Sequence, residues 1–273
     1  MGMCFGVRDA INLAERHAAW SPLTILGELV HNEDVIDGLR ARGIHFENKI
    51  ENVRTETLMV TAHGISNKRL AQIRKRGLEA IEATCPLVHY AHRSLGELVA
   101  RGAYPIVIGK VGHVEVNGLV EDLAEASIIL SISDIQSVPV RPVYGVVAQT
   151  TQPIQRVRNI VAALRSSFPN ATVHFIDTVC QPTKRRQTAA VTLARRCDVV
   201  VVIGGVASNN TLELVATCRQ VCPKVFHVQD ADHLNPAWFE GAHCVGITAG
   251  TSTPESTIKA VESRLGQIAA QFY

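Results

Sequence analysis

Aromatic residues are scarce in this 273-residue chain, at 5%, which leaves little for stacking successive bases of a single strand. No block of Lys or Arg appears and the formal charge is only +2, so nucleic acid is not expected as the main partner. Long hydrophobic runs are also missing. The run Val199 to Ile203 falls far short of the about 20 residues that a membrane helix needs. The opening Met1-Gly2-Met3-Cys4-Phe5-Gly6 has no basic stretch followed by an apolar one, as a secretory leader would. Gly6 stands where N-myristoylation wants Ser or Thr. A cytoplasmic, reducing location is therefore expected. There the seven cysteines read as thiols or metal ligands rather than disulfides.

Apolar residues make up 47% of the chain, enough for a large buried core and too many for disorder. Short β-rich runs alternate with helical periods from end to end. Strands are expected at Leu23–Leu26, Leu58–Thr61, Ala80–Ala83, Pro105–Ile108, Ile128–Leu130, Gly145–Ala148, Val173–Ile176, Val199–Ile203, Val225–Val228 and Val245–Thr248. Between them, sets such as Val157/Ile160/Val161/Leu164 and Ile258/Val261/Leu265 recur at helical spacing. This alternation predicts an α/β fold on mainly parallel sheets.

Most of these strands run into a small-residue turn bearing a reactive or hydrogen-bonding side chain. His63, Cys85, His113 with Glu115, Gln149-Thr150-Thr151, Cys180, Ser208-Asn209-Asn210 and Thr251-Ser252 all fall in such turns. In parallel sheets, ligands bind beyond the carboxyl ends of strands, where helix N-termini favour anions. So many turns of this kind point to one shared site.

Cys4, Cys85 and Cys180 are spaced so that each could come from one of three similar α/β modules. Two readings of them stay open on spacing alone. One is an iron–sulfur cluster with one iron left open to substrate; the other is three half-buried thiols. Cys218 and Cys222, with Cys197 and Cys244, are read as structural. Gly204-Gly205 falls short of a dinucleotide fingerprint. A cysteine hydrolase using Cys85 with His63 or His113 is disfavoured, because Pro86 lacks the N–H that an oxyanion hole would most simply use.

Taken in order, the segments Cys4-Phe5-Gly6-Val7, Leu29-Val30-His31-Asn32, Ala62-His63-Gly64-Ile65-Ser66, Ala83-Thr84-Cys85-Pro86, Gly112-His113-Val114-Glu115, Gln149-Thr150-Thr151, Cys180, Ser208-Asn209-Asn210 and Thr248-Ala249-Gly250-Thr251-Ser252 resemble the motifs of the 4-hydroxy-3-methylbut-2-enyl diphosphate reductase family. The resemblance spans almost the whole chain. It implies a trefoil of three similar α/β modules around a central cluster cavity. The modules would be residues 1–85, completed by a C-terminal helix over 254–273, then 86–176 and 177–253. It implies a [4Fe–4S] cluster on Cys4, Cys85 and Cys180, and reductive removal of the allylic hydroxyl to give isopentenyl and dimethylallyl diphosphate. Glu115 would be the proton donor, assisted by Thr150 and His113. The substrate would be held by His31, His63, His113, Gln149, Thr150, Thr151, Ser208, Asn209, Asn210 and Ser252. Ferredoxin or flavodoxin would supply electrons to a monomer. His17, His45, His89, His92, His174, His227, His233 and His243 match no motif and are read as structural.

Three departures stand out against the family pattern. Val114 replaces the proline of His-Pro-Glu, and Asn209 replaces a serine of Ser-Ser-Asn. Only Met1-Gly2-Met3 precede Cys4, where the family has a strand and a Pro-Arg-Gly-Phe lead. A frayed Cys4 and a labile cluster are the expected consequences, as is room for a sensor or a reductase of another substrate.

Overall fold

A computed structural model describes residues 1–271. In chain order the elements are α1 (Phe5–Ala18), β1 (Leu23–Leu26), α2 (Glu33–Arg40), β2 (His45–Glu47), β3 (Thr57–Val60), α3 (Asn67–Lys75), β4 (Glu79–Glu82), α4 (Pro86–Ala100), β5 (Tyr104–Ile108), α5 (Val114–Val120) and β6 (Ser127–Ile129). They continue with β7 (Val143–Ala148), α6 (Ile154–Ser167), β8 (Thr172–Phe175), α7 (Gln181–Ala194), β9 (Val199–Ile203), α8 (Asn209–Arg219), β10 (Val225–Val228), β11 (Val245–Ala249) and α9 (Glu255–Ala269). Every strand pairing is parallel. The expected strands are present, and one more, β2, joins them. Its three residues expose or half-expose their side chains, so no alternation marks it in the sequence.

Two compact units form. The larger comprises Asp9–Leu29 and Leu39–Cys180 and carries two four-stranded sheets, ordered β2-β1-β3-β4 and β6-β5-β7-β8. In the second of these, Ile106 and Ile108 of β5 meet Val157, Ile160, Val161 and Leu164 of α6. On the other face Val107 meets Leu95 and Leu98 of α4, and Val116 and Leu119 of α5. Burial on both faces is why β5 is apolar without alternation.

The smaller unit comprises Met1–Arg8, Val30–Gly38 and the chain from Gln181 onward. Its sheet is ordered β10-β9-β11. Val199, Val201 and Ile203 of β9 pack with Ile258, Val261 and Ile268 of α9. Val200 and Val202 face Ala190, Ala194, Leu214 and Val215 of α7 and α8. The C-terminal helix, expected to complete the first module, therefore packs on the third sheet; residues 272 and 273 of that expectation lie outside the described residues. A short turn after β11 returns α9 over the strand pair it has just left, where Val199, Val201 and Ile203 offer an apolar face. No described helix is long and apolar enough to cross a membrane.

Candidate active site

In the larger unit the strand ends bring eight of the expected residues onto a few loops. His113 caps α5, its Nδ1 accepting the N–H of Glu115 at 3.2 Å. With Nδ1 an acceptor, the neutral ring carries its proton on Nε2. The cap turns Glu115 inward, where it is 1% exposed. The N–H of Thr150 donates to one carboxylate oxygen at 2.6 Å, and its hydroxyl donates to the other at 3.0 Å. Burial pushes the Glu115 carboxyl up to about 7, although both Thr150 hydrogen bonds pull it down. Desolvation dominates because a buried carboxylate has only these donors in place of water. Near neutrality the side chain is therefore poised to hold or release a proton.

Thr150 lies after β7, and the loop after β8 is stitched to it. The Thr178 hydroxyl accepts the N–H of Ala148 at 2.9 Å and donates to the carbonyl of the same residue at 2.5 Å. Two residues on, the N–H of Cys180 donates to the Thr150 carbonyl at 3.0 Å. Glu115, Thr150 and Cys180 thus share one backbone network. Gln149 braces the neighbouring loop. Its carboxamide oxygen accepts the Lys110 N–H and the Gln152 amide, each at 3.0 Å, and its NH2 donates to Thr151 Oγ1 at 3.2 Å. From the first sheet, Cys85 caps α4 with its N–H on the Ala62 carbonyl at 3.1 Å. His63 meets His113 edge-on, with ring centroids 5.6 Å apart.

The smaller unit gathers the other six. Ile203 and Ala249 are paired at the carboxyl ends of β9 and β11, so the loops after them are neighbours. Ser208 caps α8 by accepting the Thr211 N–H at 3.3 Å. Asn209 and Asn210 open that helix and are buried. Asn210 Oδ1 accepts the Thr251 N–H at 3.0 Å. This fixes the amide orientation and leaves its Nδ2 a buried donor without a hydrogen-bond partner among the described residues. Ser252 donates to the His31 carbonyl at 3.3 Å. Gly205 lies against the same carbonyl, where a Cβ would come within 2.5 Å of the oxygen. No larger residue fits there.

Cys4 does not fray. Its N–H donates to the Thr251 carbonyl at 3.0 Å, and Arg186 holds the carbonyls of Gly2 (2.7 Å), Gly250 (3.1 Å) and Ala249. Arg186 and Thr178 are positioning residues that the sequence did not single out. Both act through backbone carbonyls, which leave no motif.

Cys4, Cys85 and Cys180 are half-buried. Each immediately precedes a helix, namely α1, α4 and α7. Among the described residues no three His, Cys, Asp or Glu side chains gather to chelate a single ion. Cysteine sulfurs are soft donors of the kind that iron–sulfur clusters take.

The model of the LytB protein family matches residues 1–266. The 4-hydroxy-3-methylbut-2-enyl diphosphate reductase of Pelobacter propionicus is 33% identical over 269 residues, covering 98% of this chain and 95% of the relative. That of Neisseria meningitidis is 37% identical over 269 residues, covering 95% and 83%. Among solved structures, the E-1-hydroxy-2-methyl-but-2-enyl-4-diphosphate reductase from Plasmodium falciparum superposes with a TM-score of 0.90 at 26% identity, covering 97% of this chain and 85% of that one. A structure of (E)-4-hydroxy-3-methyl-but-2-enyl diphosphate reductase matches at 0.70 and 33% identity, covering 97% and 96%. By a family match that begins at the first residue and leaves out only the last seven, this chain belongs to the LytB protein family.

Proposed function

We propose that the chain is an oxidoreductase that removes the allylic hydroxyl of 4-hydroxy-3-methylbut-2-enyl diphosphate. The C–O bond breaks, two electrons and two protons are taken up, and water leaves with isopentenyl or dimethylallyl diphosphate. The observation that carries this reading is the buried Glu115–Thr150 pair in a chain whose relatives bear that enzyme's name. Cys4, Cys85 and Cys180 would hold a [4Fe–4S] cluster. When bound, it would supply single electrons, drawn from ferredoxin or flavodoxin in a reducing cytoplasm, and a Lewis-acidic iron.

The chain's own groups divide the remaining work. Glu115 keeps its proton up to about pH 7 and delivers it toward the departing oxygen, with the Thr150 hydroxyl, 3.0 Å away, orienting that oxygen or relaying the proton. His113 presents Nε2–H as a donor, beside His63. Ser208, Asn209, Asn210 and Ser252 bind the diphosphate, together with His31. Asn210 Nδ2, buried without a hydrogen-bond partner among the described residues, supports this assignment, since a buried donor is costly until an acceptor arrives. Gln149, its amide engaged within the fold, holds the loop that presents Thr150 and Thr151.

The test is turnover of 4-hydroxy-3-methylbut-2-enyl diphosphate by anaerobically reconstituted protein with a strong reductant. Formation of the two five-carbon diphosphates is expected. Protein holding a full cluster that gives no product would overturn the proposal in favour of a sensor or another substrate.

A further inference from the structure

Four cysteines outside the proposed cluster set lie in the smaller unit, and two of them stand apart from the rest. Cys218 and Cys222 are buried to 0% and 1% exposure. Their thiols rest on backbone carbonyls, Cys218 on Ala190 and Cys222 on Cys197, Asp198 and Lys224. Cys197 and Cys244 differ. Their sulfurs are 3.3 Å apart, Cys244 is exposed and Cys197 half-buried.

The backbone around this pair is built to hold it. Cys197 lies two residues before β9 and Cys244 one before β11, parallel neighbours whose register pairs Val199 with Val245. The Asp198 N–H donates to the Cys244 carbonyl at 2.9 Å. In return the Asp198 carboxylate accepts the N–H groups of His243 and Cys244, both at 2.9 Å. Cys197 Sγ lies over Gly246, where a Cβ would sit only 2.8 Å from the sulfur. A side chain at 246 would have to displace Cys197 and Leu193.

We propose that Cys244 and Cys197 are a peroxide-oxidisable dithiol that closes to a disulfide between the starts of β9 and β11. In the first step the exposed Cys244 thiolate attacks hydrogen peroxide. The O–O bond breaks, Cys244 becomes a sulfenic acid and, with one proton, the other oxygen leaves as water. In the second step Cys197 sulfur attacks Cys244 sulfur, the S–O bond breaks, and the thiol proton leaves with the hydroxyl as a second water. Overall two thiols lose two electrons and two protons to one peroxide. Burial, then the hydrogen bond to Cys244, pushes the Cys197 thiol up to about 11, which leaves the first attack to Cys244. The linkage would clamp the strand pair whose opposite ends carry Ser208–Asn210 and Thr251–Ser252.

The full-length protein, prepared anaerobically and then treated with hydrogen peroxide, is alkylated after denaturation, digested and sequenced by mass spectrometry. A peptide pair joined through Cys197 and Cys244 is expected, lighter by two hydrogens and released by dithiothreitol. Cys197→Ser should stall at the sulfenic acid, raising dimedone capture at Cys244 several-fold over wild type. Cys222→Ser should leave the linkage in place. The proposal is overturned if wild-type Cys244 passes to sulfinic acid unlinked. It is equally overturned if Cys197 pairs with Cys222, if dimedone capture is the same in wild type and Cys197→Ser, or if both thiols remain alkylatable.

Discussion

Glu115 shows how one residue's surroundings set both chemistry and stability. Its carboxyl rises from 4.5 to about 7 because burial outweighs the two Thr150 hydrogen bonds. Between those values the folded state holds a proton that the unfolded state has lost, so stability falls as pH rises through the window. The full change is on the order of 3 kcal/mol at 1.36 kcal/mol per pKa unit. Glu115→Gln removes the charge and with it that slope. Thermal melts at pH 5 and pH 8 should show wild type losing stability relative to the variant at the higher pH. In turnover the same variant should fall by about 10²- to 10⁴-fold, the usual contribution of a positioned acid, with iron content unchanged. Wild-type turnover should itself decline above about pH 7 as the acid loses its proton. Asn210 makes a second residue-scale case. Asn210→Ala deletes the donor proposed to meet the diphosphate and the acceptor of the Thr251 N–H. Loss of a hydrogen bond to a charged group, about 1.5–3 kcal/mol, should raise KM roughly 10- to 100-fold with little change in kcat.

At the scale of elements, both faces of the sheets built on β5 and on β9 are sealed by helices that leave a plain mark in the sequence. Leu164 of α6 is fully buried against β5 and β7, so Leu164→Ala should cost about 2–5 kcal/mol. Urea unfolding monitored by circular dichroism would measure it, and activity below the transition should survive. Strands such as Val199–Ile203 were legible because burial on both faces demands an unbroken apolar run. β2 was not, since His45 and Glu47 lie at a sheet edge with no buried face to impose a pattern. Ser66 and Ser208 accept N–H groups at the starts of α3 and α8, as their residue type favours. His113 as the cap of α5 was not expected, because histidine seldom has that role.

For the whole molecule, the seven cysteines divide by environment rather than by spacing. Cys4, Cys85 and Cys180 each precede a helix, and replacing any one by Ala should lower the iron bound after anaerobic reconstitution. Cys218 and Cys222 fill the core between β9, α7 and α8, and Ala in either place should leave iron unchanged while lowering the unfolding midpoint. Iron and sulfide analysis alongside a melt separates the two groups. Most of the candidate site residues read as turn residues following strands: residue type and order alone mark loops where thiols, imidazoles and small hydroxyls replace apolar side chains. What each side chain does within its loop was not legible. Gln149 reads as a ligand but is bound into the fold, and Arg186 reads as one more surface cation but gathers three carbonyls.

The sequence by itself determined the α/β class, the strand set apart from one edge, and the loops that carry the candidate site residues. All of these follow from local periodicity and residue type, which need no knowledge of distant partners. Only the tertiary structure decided that α9 packs on the sheet of β9 and β11, that Cys4 is tied down through Thr251 and Arg186, and that Glu115 is a near-neutral acid. Those depend on desolvation and on hydrogen bonds between residues far apart in the chain, and no local pattern encodes either.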